Sequence, residues 1–109
     1  MKYKMPKSMR EKRRYIKFVV DSDKRFDDED VRHSLWGAML SFIGENGAAR
    51  TNLWLSNWDE KSNTGVLRCS IIAVDEVIVC MKLVTEIQEE RVNFIVKGVS
   101  GTLKSLETC

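Results

Sequence analysis

Apolar residues recur along this chain in a fixed order of periods, two, 3.6, two, two, 3.6 and two, after a short basic segment. That order restricts the fold to one sheet with both helices on the same face. Tyr15 to Asp21 alternates with Ile16, Phe18 and Val20 on one side. Thr51 to Trp58 does so with Leu53 and Leu55, Val66 to Ile71 with Leu67, Cys69 and Ile71, and Arg91 to Lys97 with Val92, Phe94 and Val96. Each predicted strand therefore has an apolar face to bury. The complementary faces carry Tyr15, Lys17 and Val19; Asn52, Trp54, Ser56 and Trp58; Val66, Arg68 and Ser70; and Asn93, Ile95 and Lys97. This mixture of aromatic, amide and cationic groups suits a binding surface.

The helices between these strands have their own signals. From Val31 onward, Leu35, Ala38, Met39, Phe42 and Ile43 fall at helical spacing, and Trp36 and Leu40 widen the stripe. Asp27 reads as the N-cap, Phe26 and Val31 as a hydrophobic staple, and Gly44 or Gly47 as the stop. In the second helix Val77, Met81, Val84 and Ile87 or its neighbours form the stripe behind an Asp75 cap, with Val74 facing Val79 as the staple. The expected fold is α+β: a two-layer ferredoxin-like, RNA-recognition-like sandwich of order βαββαβ, with an antiparallel four-stranded sheet and two main helices.

A chain of 109 residues builds one modest core and leaves no room for a second. The predicted division is a basic N-terminal arm over residues 1–14 and a single domain over 15–109. No apolar run approaches the ~18 residues of a membrane span, and the basic start leads into an alternating strand, unlike a signal peptide. An intracellular, cytoplasmic protein with no membrane partner is expected. Cys69, Cys80 and Cys109 make an odd number with no Cys-x-x-Cys pair, so they read as reduced, packed thiols. His33, the lone histidine, lies far from any cysteine in sequence, which argues against zinc.

The net charge of +2 hides an asymmetry. Lys2, Lys4, Lys7, Arg10, Lys12, Arg13 and Arg14 face Glu11 alone, giving the first 14 residues +6 and leaving −4 on the rest. Such an arm neutralises phosphates or serves as a solubilising tail, and charge by itself leaves both open.

Four blocks carry a resemblance. Pro6 through Ile16, Gly47-Ala48-Ala49 before Asn52-Leu53-Trp54-Leu55, Gly65-Val66-Leu67-Arg68-Cys69, and Gly98 through Lys104 together resemble the protein component two, or Pop-five, family of archaeal and eukaryotic-type ribonuclease P. Each block alone is weakly specific; their order and spacing over about residues 5 to 106 is what carries the likeness. The resemblance implies an RNA-recognition-like or ferredoxin-like sandwich, in agreement with the periods above. It further implies a non-catalytic subunit which, with a TIM-barrel partner of the Rpp-thirty type, supports the catalytic domain of the ribonuclease P RNA as that enzyme removes the 5′ leader from precursor tRNA. No cofactor is then expected on the protein itself, and magnesium is expected with the RNA. A homodimer within the complex stays open.

For such a role the expected RNA-binding residues are Arg10, Lys12, Arg13 and Arg14, with Lys104 and Arg68. Arg68, on the open face by pattern, suits either RNA or an acidic residue of a protein partner. Tyr15 and Trp54 are able to stack bases, yet the aromatic signature of ordinary RNA-recognition domains is missing. Trp54 with Val19, Val66 and Ile95 reads instead as an apolar patch for a protein interface or a covering terminal helix.

Other candidates are weaker. Asp27-Asp28-Glu29-Asp30 fits helix capping better than a magnesium site, and His33 beside it reads as a surface residue. Ser100-Gly101-Thr102 reads as a turn at least as well as a phosphate nest, and Asn63-Thr64-Gly65 as a hairpin loop. Acylphosphatases share the element order, but Asp21 to Phe26 offers no phosphate cradle. No nucleophile, acid–base pair or metal cluster stands out, so no independent catalysis is expected. The main alternative is a ligand-sensing or dimerising ferredoxin-like module, which has no need of a basic arm.

Overall fold

A computed structural model describes residues 13–102. Strand β1 (Arg13–Asp21) lies between β3 (Thr64–Ser70) and β6 (Asn93–Ser100), and β2 (Trp54–Asp59) forms the edge beyond β3. All three ladders are antiparallel. Helix α1 (Asp28–Arg50) connects β1 to β2, and α2 (Val74–Leu83), entered through a 3-10 turn at Ile71–Ala73, follows β3. A separate short hairpin pairs β4 (Glu86–Ile87) with β5 (Glu90–Arg91). Both helices cover one sheet face, which makes this the ferredoxin-like two-layer sandwich that the periods predict.

The alternation in β1 explains its central position. Ile16, Phe18 and Val20 are buried and meet Leu67 and Cys69 of β3, Phe94 of β6, Val31, Leu35 and Met39 of α1, and Val77, Cys80 and Met81 of α2. Buried side chains of this size each contribute ~1.5–3 kcal/mol of transfer free energy. Phe18 stacks between Trp58 and Phe94, with ring centroids 6.0 and 5.6 Å away. Gly65 makes this stack possible, because a Cβ there would lie 2.7 Å from the Trp58 ring and 2.8 Å from Phe18.

Helix α1 starts as its sequence dictates. The Asp27 carboxylate accepts a hydrogen bond from the Asp30 N–H at 2.8 Å, and Asp28, Glu29 and Asp30 sit at the positive end of the helix dipole. Phe26 and Val31 are both buried, as a staple requires. The helix breaks at Gly44, whose φ of 74° and ψ of 176° suit glycine, then resumes to Arg50. Thr51 closes it, its N–H and hydroxyl both donating to the Ala48 carbonyl.

Other details differ from the expectation. A bulge between Leu55 and Asn57 inserts Ser56 and reverses the phase of β2, so Trp58 points into the core and not out with Trp54. Its indole N–H donates to the Phe26 carbonyl at 2.8 Å. A second irregularity pairs Lys17 with Gly98 and Phe18 with Val96, leaving Lys97 as the extra residue. Helix α2 has no side-chain cap: the 3-10 turn brings the chain in at Ala73, placing Asp75 inside the first turn. Val79 is exposed and forms no staple with Val74. The last strand starts at Asn93 and runs to Ser100, because Glu86–Arg91 is taken up by the small hairpin.

Asn63 is a key residue that the hairpin reading understates. It is 1% exposed, with φ of 51°, in the left-handed region that asparagine tolerates. Its amide donates to the Lys24 carbonyl at 2.7 Å and accepts from the Phe26 N–H at 3.2 Å, while its own carbonyl receives Val20 N–H at 2.8 Å. It thus ties the β2–β3 turn to the β1–α1 loop. Asn63→Ala is expected to cost about 2 kcal/mol by orphaning the buried Phe26 N–H and the part-buried Lys24 carbonyl, read as a lowered urea midpoint at unchanged slope.

Cys69 is fully buried, and desolvation raises its thiol from 9.0 to about 11. Burial also raises Cys80, and the charge of Glu76 adds to the effect. Between pH 9 and 11 the native state therefore keeps a Cys69 proton that the unfolded chain releases, so stability falls as pH rises through that window. Peptide-mapped alkylation at pH 7.5 is expected to leave Cys69 unlabelled until urea unfolds the chain.

Candidate nucleic-acid and protein interface

Residues directly paired across an antiparallel ladder share a face, so the register defines the open surface row by row. Arg13 pairs with Ser70 at one end. The next row reads Trp54, Arg68, Tyr15 and Ser100 across all four strands. It is followed by Asn57, Val66, Lys17 and Gly98, then by Asp59, Thr64, Val19 and Ile95, and finally by Asp21 opposite Asn93. Cations thus occupy the end where the chain enters β1, and carboxylates the opposite end. The Asp59 carboxylate accepts from the Lys61 N–H and the Ser62 hydroxyl at that far end.

Arg68 is half-buried, and its Nε is a buried donor with no hydrogen-bond partner. Its register neighbours are Trp54 and Tyr15. Arg14, on the other side of β1, donates through Nη1 to the Arg13 carbonyl at 3.0 Å. Arg10, Lys12 and Lys104 lie outside the described residues.

The apolar candidates divide into two groups. Val19 and Ile95 are direct neighbours, and Val66 lies diagonal to Val19; all three are half-buried. Trp54 is at the opposite edge, 60% exposed. It lines a groove of about 230 Å³ with Leu53 and Leu55 of the β2 segment, Leu67, and Arg32, Leu35 and Trp36 of α1. Trp36, expected to widen the buried stripe, is 41% exposed and walls this groove. Its place next to Leu35, off the four-residue spacing of Val31, Leu35 and Met39, is the signal that was available in the sequence.

The acidic run is occupied structurally. Asp27 caps α1, and Asp30 accepts from the Gln88 amide at 2.6 Å. Among the described residues no group of three His, Cys, Asp or Glu is placed to hold a metal ion. His33 is exposed beside Glu29, Arg32 and Trp36. No described helix is long and apolar enough to cross a membrane.

A model of the Rpp14/Pop5 family matches residues 14–109. The chain belongs to the Rpp14/Pop5 family. It is 38% identical over 103 residues to the ribonuclease P protein component 2 of Pyrococcus furiosus, a match covering 94% of this chain and 86% of that protein. Its counterpart of the same name in Archaeoglobus fulgidus is 37% identical over 100 residues, covering 92% and 89% of the two chains. That of Methanocaldococcus jannaschii is 36% identical over 100 residues, covering 92% and 73%. A chain in the cryo-EM structure of yeast ribonuclease MRP shares the fold, with a TM-score of 0.71 over 84% of this chain and 76% of that one at 13% identity. The family match thus takes in all of the described fold except Arg13, the first residue of β1.

Proposed function

We propose that this Rpp14/Pop5 member is a protein subunit of a ribonuclease P ribonucleoprotein, acting in the cytoplasm to support the catalytic RNA as the 5′ leader is removed from precursor tRNA. It does so with a TIM-barrel partner subunit of the Rpp-thirty type. The observation that carries this reading is a likeness at 36–38% identity to ribonuclease P component 2 proteins over more than nine-tenths of the chain. The surface agrees with it: cations gather where the basic arm joins the sheet, and an aromatic-walled groove is available to a protein partner.

In this role the protein supplies phosphate neutralisation and shape, and the RNA supplies the reaction with its magnesium. Arg13 and the arm before it lower the repulsion between RNA segments brought together near the sheet. The exposed Trp54 and Trp36 supply the apolar area that a protein contact needs, on the edge of the sheet farthest from β6.

Reconstitution tests the reading. Rigorously RNA-free protein is expected to leave precursor tRNA uncut, and cleavage by the ribonuclease P RNA to rise only when the TIM-barrel subunit is also present. Cleavage by the protein alone overturns it, as does co-purification with a metabolite and no RNA. Trp54→Ala is expected to weaken association with the partner subunit by about 2 kcal/mol, measured by calorimetry, with little change in RNA affinity. Unchanged partner affinity with weaker RNA binding would instead make Trp54 a base-stacking platform.

A further inference from the structure

Helix α1 and the edge strand β2 leave a channel between them whose chemistry changes along its length. At one end is the apolar groove walled by Trp36 and Trp54, with Leu55 in its lining. Leu55 also lines the next recess along the same edge, about 300 Å³ in volume, where Asp27 and Asp28 at the start of α1 face Ser56, Trp58 and Glu60. The two recesses are thus continuous through Leu55.

The second recess brings three carboxylates together. Asp27 is committed to the Asp30 N–H, whereas Asp28 and Glu60 have no side-chain partner among the described residues. Arg25 and Lys61, the nearest cations in sequence, do not neutralise them: Arg25 donates through Nε to the Lys61 carbonyl at 2.8 Å, and neither forms an ion pair with a described residue. In the groove the charged lining residue is Arg32, which also has no ion pair among the described residues. The channel therefore runs from apolar and cationic to acidic.

Shape and charge together select an occupant. Carboxylates repel phosphate, so a nucleic acid is the wrong partner for this edge. Two exposed tryptophans walling one groove suit an apolar anchor side chain from a protein. The unpartnered carboxylates lie farther along β2 by three or four residues, about 10–13 Å of extended chain, and suit lysine or arginine there. Arg32 repels a basic segment laid the other way round, so the charges fix its direction. The bulge at Ser56 blunts β2 as a template for strand addition, which leaves recognition to side chains.

We propose that this channel binds an extended segment of a partner protein that carries a large apolar side chain and, three or four residues to one side, a pair of lysines or arginines. The apolar side chain enters between Trp36 and Trp54, and the basic pair meets Asp28 and Glu60. The proposal rests on the proposed function and deepens it by stating the chemistry of the partner segment that the tryptophan groove accepts.

The test titrates the full chain with three matched nine-residue peptides: one with a leucine anchor and two lysines beginning three residues away, one with glutamates for the lysines, and one with alanine for the leucine. Binding is followed by NMR. The indole N–H resonances of Trp36 and Trp54 are expected to shift with the leucine–lysine peptide, which binds about fivefold tighter than the glutamate peptide, a preference that shrinks as salt is raised. Loss of the leucine is expected to weaken binding about tenfold at any salt. The double variant Asp28→Asn with Glu60→Gln is expected to abolish the preference for lysine while the leucine effect stays; Trp36→Ala is expected to do the reverse. Circular dichroism checks folding, and the nearly isosteric double variant, which spares the Asp27 cap, decides if Trp36→Ala unfolds. Equal affinity for the lysine and glutamate peptides overturns the proposal, as do shifts that avoid both indoles. Displacement of the peptide by oligouridylate overturns it in favour of RNA, and a dimer of the parent chain that the double variant dissociates overturns it in favour of a second copy. Assembly with the TIM-barrel subunit and the ribonuclease P RNA is measured in parallel. If the parent chain fails to assemble, the proposed function falls; if it assembles and the double variant assembles equally well, this assignment alone falls.

Discussion

Phe18→Ala is expected to destabilise the protein by about 3–5 kcal/mol, the range for a buried phenylalanine truncated in a packed core. The residue is fully buried in the strand that pairs on both sides, and it holds two other rings, Trp58 and Phe94, in one stack. Removing the middle ring leaves a cavity that Gly65 cannot fill, because its lack of a side chain is what lets Trp58 and Phe18 approach. A small domain has only ~5–15 kcal/mol of stability to lose, so the variant should lose much of its cooperative urea transition or have a sharply lower melting temperature. A shift of under about 1 kcal/mol would mean that the stack is loosely packed, and the phase reversal of β2 at Trp58 would need another explanation. Phe18→Leu, which keeps most of the apolar volume, is expected to recover much of the loss.

The stack also marks where the sequence was legible and where it was not. In β1 every second residue is apolar and buried without interruption, and the predicted strand needed only two more residues, Arg13 and Arg14, at its start. A plain alternation reads correctly because period two is geometry. In β2 the same rule gives Trp58 the wrong face, because one extra residue at Ser56 reverses the alternation and nothing in Leu55-Ser56-Asn57 announces it. The Asp27 cap was legible, since an aspartate followed by three acidic residues before an apolar stripe has few other uses. The Asp75 cap was not, because the apolar Ile71-Ile72-Ala73 forms a 3-10 turn and brings the helix in with no capping side chain. The hairpin at Glu86–Arg91 escaped notice because its turn uses Gln88 and Glu89 at positive φ, where a sequence reader looks for glycine or asparagine.

The surface was legible in kind more than in arrangement. Alternation sufficed to list Tyr15, Lys17, Val19, Trp54, Val66, Arg68 and Ile95 as outward residues, but their neighbours depend on register, which no single strand encodes. Register separates Trp54 from Ile95 by the width of the sheet and sets it beside Arg68. The groove under Trp54 was hidden for a similar reason, since it is made by two elements, α1 and β2, that contribute one exposed tryptophan each.

Deleting residues 1–12 is expected to leave the fold intact and to remove much of the RNA affinity. The cut falls immediately before Arg13, the first residue of β1 and already paired with Ser70, so no ladder contact in the described sheet is lost. A cut after residue 14 would take two strand residues with it and confuse folding with binding. The deleted piece carries Lys2, Lys4, Lys7, Arg10 and Lys12 against Glu11, whereas the described open face retains Arg13, Lys17 and Arg68. Each cation that neutralises a duplex phosphate contributes about 0.9 to the slope of log affinity against log salt. If two or three of the five meet phosphate, affinity for the ribonuclease P RNA drops about a hundredfold at 0.1 M salt, and the slope falls by about two. The urea midpoint is expected to stay where it was. The two measurements together separate the possibilities: an unchanged slope would make the arm a solubilising tail, and a lowered urea midpoint would mean that it packs on the domain. A lower slope with a constant midpoint is the result expected of an arm that binds phosphate without packing on the domain.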